Sequence, residues 1–189
     1  MVGATDEGEK SDRTDLRSQR RTARLAAVQA LYQIEIGGEA VELVLREFPE
    51  RLIPNMFDDG SGAEIDRDFF DALVRGVADK RAEIDAAIRG AMTRDVGIDR
   101  LEPLLKVVMR AGVYELMARY DVPARVALAE HVAICHAFYG ERETGLVNGV
   151  LDRVARTVRR EEMVKPDAEP GDRAAGDAES GSDGAAPAA

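Results

Sequence analysis

One stretch, residues 101 to 119, limits the architectures open to this chain. Leu101, Leu104, Leu105, Val108, Met109, Val113, Leu116 and Met117 spread around much of a helical circumference and do not keep to one stripe. A helix of that kind has little face to offer water, so it belongs at the centre of a bundle, with other helices around it. The rest of the chain supplies them. Apolar residues at helical spacing predict helices over about 18–36, 39–50, 124–139 and 144–160. In the second of these, Val41, Leu43, Val44, Leu45 and Phe48 are available to the core. Phe69, Leu73, Val77, Ile84 and Ile88 predict either one helix over 65–92 or two joined near Gly76 to Lys80. Gly37-Gly38 and Gly140 read as helix ends, Asp99 as an N-cap, Pro123 as a helix entry, and Pro54 to Gly62 as a loop. No window keeps up the two-residue alternation of a sheet. The expected fold is all-α, a compact bundle of about six to seven helices.

The ends of the chain differ from its body. Residues 1–16 hold five acids and two bases, and residues 163–189 are rich in Gly, Ala, Asp, Glu, Ser and Pro. Both are expected to be disordered acidic tails, because they lack the large apolar residues that offset chain entropy. The formal charge of −10 is concentrated there: residues 17–160 carry 22 bases against 23 acids. The folded domain, expected over 17–162, is therefore nearly neutral, and an acidic total does not exclude a polyanionic ligand. Cys135 is the only cysteine, which rules out an intramolecular disulfide and suits a reducing cytoplasm; its expected role is that of a small core residue. No apolar run is long enough to span a bilayer and no secretory leader is evident, so no membrane partner is expected and the expected location is cytoplasmic.

Within the neutral body, one helix start is locally basic. Arg17, Arg20, Arg21 and Arg24 fall at i, i+3, i+4 and i+7, and no acid interrupts 16–34. Val28 continues that stripe, and Tyr32 lies roughly 60° to one side of it at about 100° per residue. Ala23, Ala27, Ala30 and Ile34 form a neighbouring small-apolar stripe suited to a core. A buried face beside a basic face that ends near an aromatic ring suits phosphate contact and base stacking. The plainer alternative is a solvated first turn.

Catalytic signatures are missing. His131 and His136 are five apart and fall on different helix faces, so they make no metal pair, and Cys135 has no matching ligand partner. Gly37-Gly38 and Gly60-Ser61-Gly62 lack the lysine and the strand-to-helix setting of a phosphate loop. No nucleophile motif or cofactor motif is present, so neither an enzyme nor a bound cofactor or metal is expected. Asp66, Arg67, Asp68 and Asp71 read as a solvated face. Asn148-Gly149 is unusual within a helix: Gly149 reads as a point of close helix approach, and Asn148 as either a backbone partner or a ligand-facing group.

Several blocks together resemble the family of the bacterial transcription antitermination factor NusB. They are Arg20-Arg21-Thr22-Ala23-Arg24 followed by Val28-Gln29-Ala30-Leu31-Tyr32; Arg110-Ala111 with Tyr114-Glu115-Leu116; Asp121-Val122-Pro123; Glu130; and Val147-Asn148-Gly149-Val150-Leu151-Asp152. The resemblance implies two helical subdomains packed together. It also implies binding to the boxA element of ribosomal RNA leaders, jointly with the small-subunit ribosomal protein NusE, in a complex that helps RNA polymerase read through terminators. By the same resemblance Arg20, Arg21, Arg24 and Tyr32 would contact RNA, with Arg17 joining them by geometry alone and Phe138 lying near the same surface. Arg110, Glu115 and Arg119 would be exposed candidates for the NusE contact. Two departures stand out: Leu146 replaces a frequent phenylalanine, and Leu105 replaces a position that is often charged.

Two other functions compete with this one. A protein-only helical adaptor would bind no RNA. A NusB-like helical domain also precedes the α/β domain of some RNA cytosine methyltransferases, but no Gly-rich cofactor loop follows here. A homodimer that masks the basic helix is a further arrangement the sequence allows, and the acidic tails are candidates to compete with RNA for the arginines.

Overall fold

The structure is a computed structural model that describes residues 5–51, 65–92 and 97–164. Among these residues there are eight α-helices and no strand: α1 Thr5–Gly37, α2 Val41–Arg51, α3 Arg67–Asp79, α4 Arg81–Ala91, α5 Pro103–Ala118, α6 Ala124–Phe138, α7 Glu141–Val158 and α8 Arg160–Met163. The expected loop over 54–62 lies outside the described residues, as does the side chain of Phe48.

α5 is the hub, as its apolar circumference requires. It touches α1, α3, α4, α6 and α7, and Val108, Met109, Ala111, Val113 and Leu116 are fully enclosed. α1, α2 and α3 pack on one another, α4 to α8 form a second group, and the two groups meet where α1 and α3 lie against α5. Two glycines permit the close approaches. A Cβ on Gly76 would collide with the Tyr114 ring, and one on Gly112 would sit 2.9 Å from Leu151 and 3.2 Å from His131. The close approach expected at Gly149 is not there: a Cβ would meet nothing within 4 Å, and Asn148 is exposed. The small residue that matters faces α7 from α5.

Element ends follow local chemistry, with some corrections. Gly38, at φ +66°, donates its N–H to Ile34 O at 3.0 Å and ends α1 in the left-handed conformation that glycine tolerates. Residues 65–92 form two helices, parted at Lys80 (φ −100°, ψ 17°). Asp99 is not the cap of α5; it sits in a single 3-10 turn, and Pro103 at the first helical position starts α5, where its missing N–H costs nothing. α7 begins at Glu141, earlier than the loop expected there, with Glu141 and Glu143 in its first turn favouring the helix dipole. Residues 5–16, expected to belong to a disordered tail, are helical: α1 extends back to Thr5.

The C-terminal boundary also moves outward. Met163 is buried, Arg159 donates to the carbonyls of Leu116 (2.8 Å), Val122 (2.6 Å) and Glu115 (3.2 Å), and Glu162 accepts the N–H of Ala124 at 2.7 Å. α8 thus satisfies the loose carbonyls at the end of α5 and a loose N–H at the start of α6.

Candidate nucleic-acid interface

Residues at 100° intervals decide what α1 can offer a ligand. Its buried side chains, Ala23, Ala26, Ala27, Ala30, Leu31, Arg24 and Val28, sweep about 200° of the helix. The small-apolar stripe is therefore the centre of the buried face, and the arginine stripe lies on its margin. α1 runs antiparallel to α5: Arg20 pairs with Asp121 just past the end of α5, Arg24 with Glu115, and Glu35 with Arg110 and Lys106.

The four arginines are consequently not equivalent. Arg17 and Arg21 are exposed and form no ion pair among the described residues. Arg20 is half-buried: its Nη2 donates to Asp121 Oδ2 at 2.9 Å and its Nε lies 3.4 Å from Asp66 Oδ2. Arg24, expected to contact RNA, is only 3% exposed. Its Nε reaches Glu115 Oε2 at 2.9 Å and its Nη2 reaches Oε1 at 2.5 Å, a bidentate pair inside the bundle. Arg24 is a core residue because position 24 faces α5, where a carboxylate awaits it.

Glu115 is correspondingly not an exposed partner contact; it has no accessible surface. His131, also fully enclosed, places Nδ1 3.6 Å from Glu115 Oε2 and 3.0 Å from Ala127 O. Burial holds the His131 imidazole below its ordinary pKa, against the opposing pull of Glu115. Arg110 is another correction: at 6% exposure it ties Asp85 (2.7 Å) and Glu35 (3.1 Å) together, and Glu35 also receives Arg81 at 2.8 Å. The resemblance puts both on a partner surface, but it carries no information on which way either side chain faces, and the core takes both.

Arg119 is partly exposed, but it belongs to the arginine end of α1. Its Nε and Nη2 donate to Asp121 Oδ1 and Oδ2 at 2.9 and 3.0 Å. The guanidiniums of Arg20, Arg24 and Arg119 all lie over the buried ring of Phe69, at 5.1, 4.9 and 4.6 Å from its centroid. Asp66, read as a solvated residue, caps α3 by accepting Phe69 N–H at 3.0 Å, and so fixes the ring's position. Phe69 and Asp121 are the site residues that sequence reasoning missed: the arginines over Phe69 are 45 to 50 positions away, and Asp121 sits in what reads as a plain turn, 101 positions from Arg20.

Tyr32 is 39% exposed and lies on the same outer edge as Arg21, about 16 Å further along the axis. Phe138, at the end of α6, is partly buried against the core. Leu146 is packed there too. Among the described residues no group of His, Cys, Asp or Glu could hold a metal ion, and no helix is long and apolar enough to cross a membrane. Cys135 is enclosed, and burial raises its thiol pKa, as for a core residue.

Comparison with known proteins bears on this geometry. Residues 21–156 match the model of the NusB family. A transcription antitermination protein NusB of Mesorhizobium japonicum is 45% identical over 144 residues, covering 76% of this chain and 93% of the relative. One from Maricaulis maris is 38% identical over 163 residues, covering 86% and 100%. Among solved structures, NusB of T. maritima superposes with a TM-score of 0.62 at 28% identity, covering 76% of this chain and 95% of the other. A structure of the antitermination factors NusB and NusE in complex with dsRNA superposes at 0.60 with 26% identity, covering 74% and 98%.

Proposed function

The chain belongs to the NusB family, and from that premise we propose that it is a transcription antitermination factor that binds RNA along the outer edge of α1. One observation supports this location of the site: Arg17 and Arg21 are exposed and form no ion pair among the described residues, on the same edge as the exposed Tyr32, while Arg20 and Arg24 are already paired. Two exposed guanidiniums give phosphate contacts and speed encounter, and the phenol ring gives a stacking surface for an unpaired base. The ligand in this reading is the boxA element of a ribosomal RNA leader. The partner is the ribosomal protein NusE, acting within the RNA polymerase antitermination complex; a NusB solved together with NusE and RNA supports that partnership. With Glu115 and Arg110 in the interior, the NusE contact on this chain falls to other surface residues.

Only two phosphate contacts from α1 make a weak site, so NusE adds needed surface. The test is binding of a single-stranded boxA RNA to the Arg17→Ala, Arg21→Ala double variant at several salt concentrations, with and without NusE. Loss of both contacts lowers the salt slope by roughly 1.4, at about 0.7 per phosphate contact on a single strand. Unchanged affinity and slope would overturn the assignment, and an RNA-free adaptor would show no binding by the unaltered chain in either lane.

A further inference from the structure

We infer that Arg20, Arg119 and the Phe69 ring form a second phosphate-binding platform, and that Asp121 occupies it as a built-in competitor of RNA. The inference rests on the α1 edge being the RNA surface, and it adds a site on the side of that edge facing α5. Two forks of donors, one from α1 and one from the residue ending α5, converge on a single carboxylate: Asp121 Oδ2 accepts from Arg20 at 2.9 Å and from Arg119 at 3.0 Å, and Oδ1 accepts from Arg119 at 2.9 Å. That is the arrangement in which paired guanidiniums take a phosphate. Both forks are held in advance, because each guanidinium carbon lies over a ring, at 5.1 and 4.6 Å from its centroid, that is itself enclosed and fixed by the Asp66 cap.

The carboxylate is the exposed member of the group. Its side chain keeps 45% of its accessible surface, against 23% for Arg20 and 21% for Arg119, so the anion position faces solvent and the cations lie beneath it. Arg20 and Arg119 are balanced by Asp66 and Asp121, which makes the platform neutral as it stands. Moving Asp121 aside, or removing its charge, leaves one net positive charge one residue from Arg21 and one turn from Arg17. A backbone phosphate bound at the edge then has a neighbouring seat for the next phosphate.

The experiment measures binding of the full chain to a single-stranded boxA RNA across salt concentrations, for Asp121→Asn, Arg119→Ala and Arg21→Ala. The platform predicts that Asp121→Asn binds on the order of three- to tenfold more tightly at low salt, with a slope steeper by about 0.7. It predicts weaker binding and a shallower slope for Arg119→Ala. Unchanged or weaker binding by a folded Asp121→Asn overturns it; if thermal melting shows that variant unfolded, unchanged binding by Arg119→Ala overturns it instead. Arg21→Ala separates the two ideas. If Arg21→Ala weakens binding while Asp121→Asn and Arg119→Ala do not alter it, the edge stands and the platform falls. If none of the three alters binding, the whole surface has been misplaced.

Discussion

Replacing Arg24 by Met tests the distinction between an RNA contact and a structural charge. In the structure the guanidinium is 3% exposed, bidentate to a Glu115 with no exposure, and stacked over Phe69. Removing it leaves a buried carboxylate whose remaining close titratable neighbour is the His131 imidazole, 3.6 Å away. Stranding one member of a buried pair costs about 3–5 kcal/mol, a large share of the roughly 5–15 kcal/mol that holds a domain together. The melting temperature should fall by roughly 6–20 °C. The loss should also depend on pH in a diagnostic way. Arg24 helps to hold the His131 pKa down and Glu115 pulls it up, so without Arg24 the imidazole takes up a proton more readily in the folded state and the variant's deficit shrinks as pH falls from 8 to 5. Arg24→Met with Glu115→Leu removes both charges and should recover most of the stability, since well-packed apolar replacements of buried pairs are often neutral. Chemical unfolding of the three proteins at pH 8 and pH 5.5, beside RNA binding at several salt concentrations, measures all of this. A fully stable Arg24→Met that loses RNA affinity and part of its salt slope would refute the reasoning and return Arg24 to the RNA face.

Three further outcomes follow from other parts of the molecule. Burial keeps the folded-state pKa of His131 below its unfolded value, so the stability tied to its neutral form is present above about pH 6.5 and is lost as pH falls through that value towards the depressed one; unfolding curves at pH 7.5 and 5.5 should show a drop that His131→Leu abolishes. Gly76→Ala puts a methyl into the Tyr114 ring and should destabilise by about 1–3 kcal/mol, a penalty that a Tyr114→Leu background largely relieves in the same unfolding assay. Residues 165–189 carry six acids and two bases, and α8, from which they depart, is tied to the α5–α6 turn that carries Asp121; ending the chain after Val164 should tighten RNA binding at low salt and leave it unchanged at high salt, where charge is screened.

The fold was largely legible because its strongest signal is non-directional. A helix apolar on nearly every side, such as α5, belongs at the centre whichever neighbours surround it, and the Gly37-Gly38 stop and the Pro123 entry depend only on local backbone chemistry. Boundaries set by tertiary contact were harder to read. α8 looks like the start of an acidic tail until Arg159 and Glu162 are seen to cap α5 and α6, and the site for that capping is 35 to 45 positions distant in the chain. The extension of α1 to Thr5 was hidden in the same way, by composition that suits a tail as well as a solvated helix.

The candidate site was legible as a helix and as a cluster of charge, but not as a set of roles. Spacing of i, i+3, i+4 and i+7 places four arginines within one arc, yet the boundary between core and solvent crosses that arc, and its position depends on α3 and α5. Glu115 on α5 draws Arg24 inward, Asp66 and Asp121 hold Arg20 at the margin, and Arg17 and Arg21 are left outside. The same logic sets Arg119 beside the arginines of α1, because Phe69 gathers guanidiniums from α1 and from the end of α5 over one ring. Asp121 is where the two readings of the stripe separate. Its carboxyl is drawn down to about 2 by the hydrogen bond from Arg119 and by the charges of Arg119 and Arg20, so it remains an anion at any pH at which RNA is bound. A competitor that cannot be protonated away has to be displaced by phosphate or by mutation. On that ground Asp121→Asn, rather than any change of pH, separates a stripe that only builds the domain from one that also reads RNA.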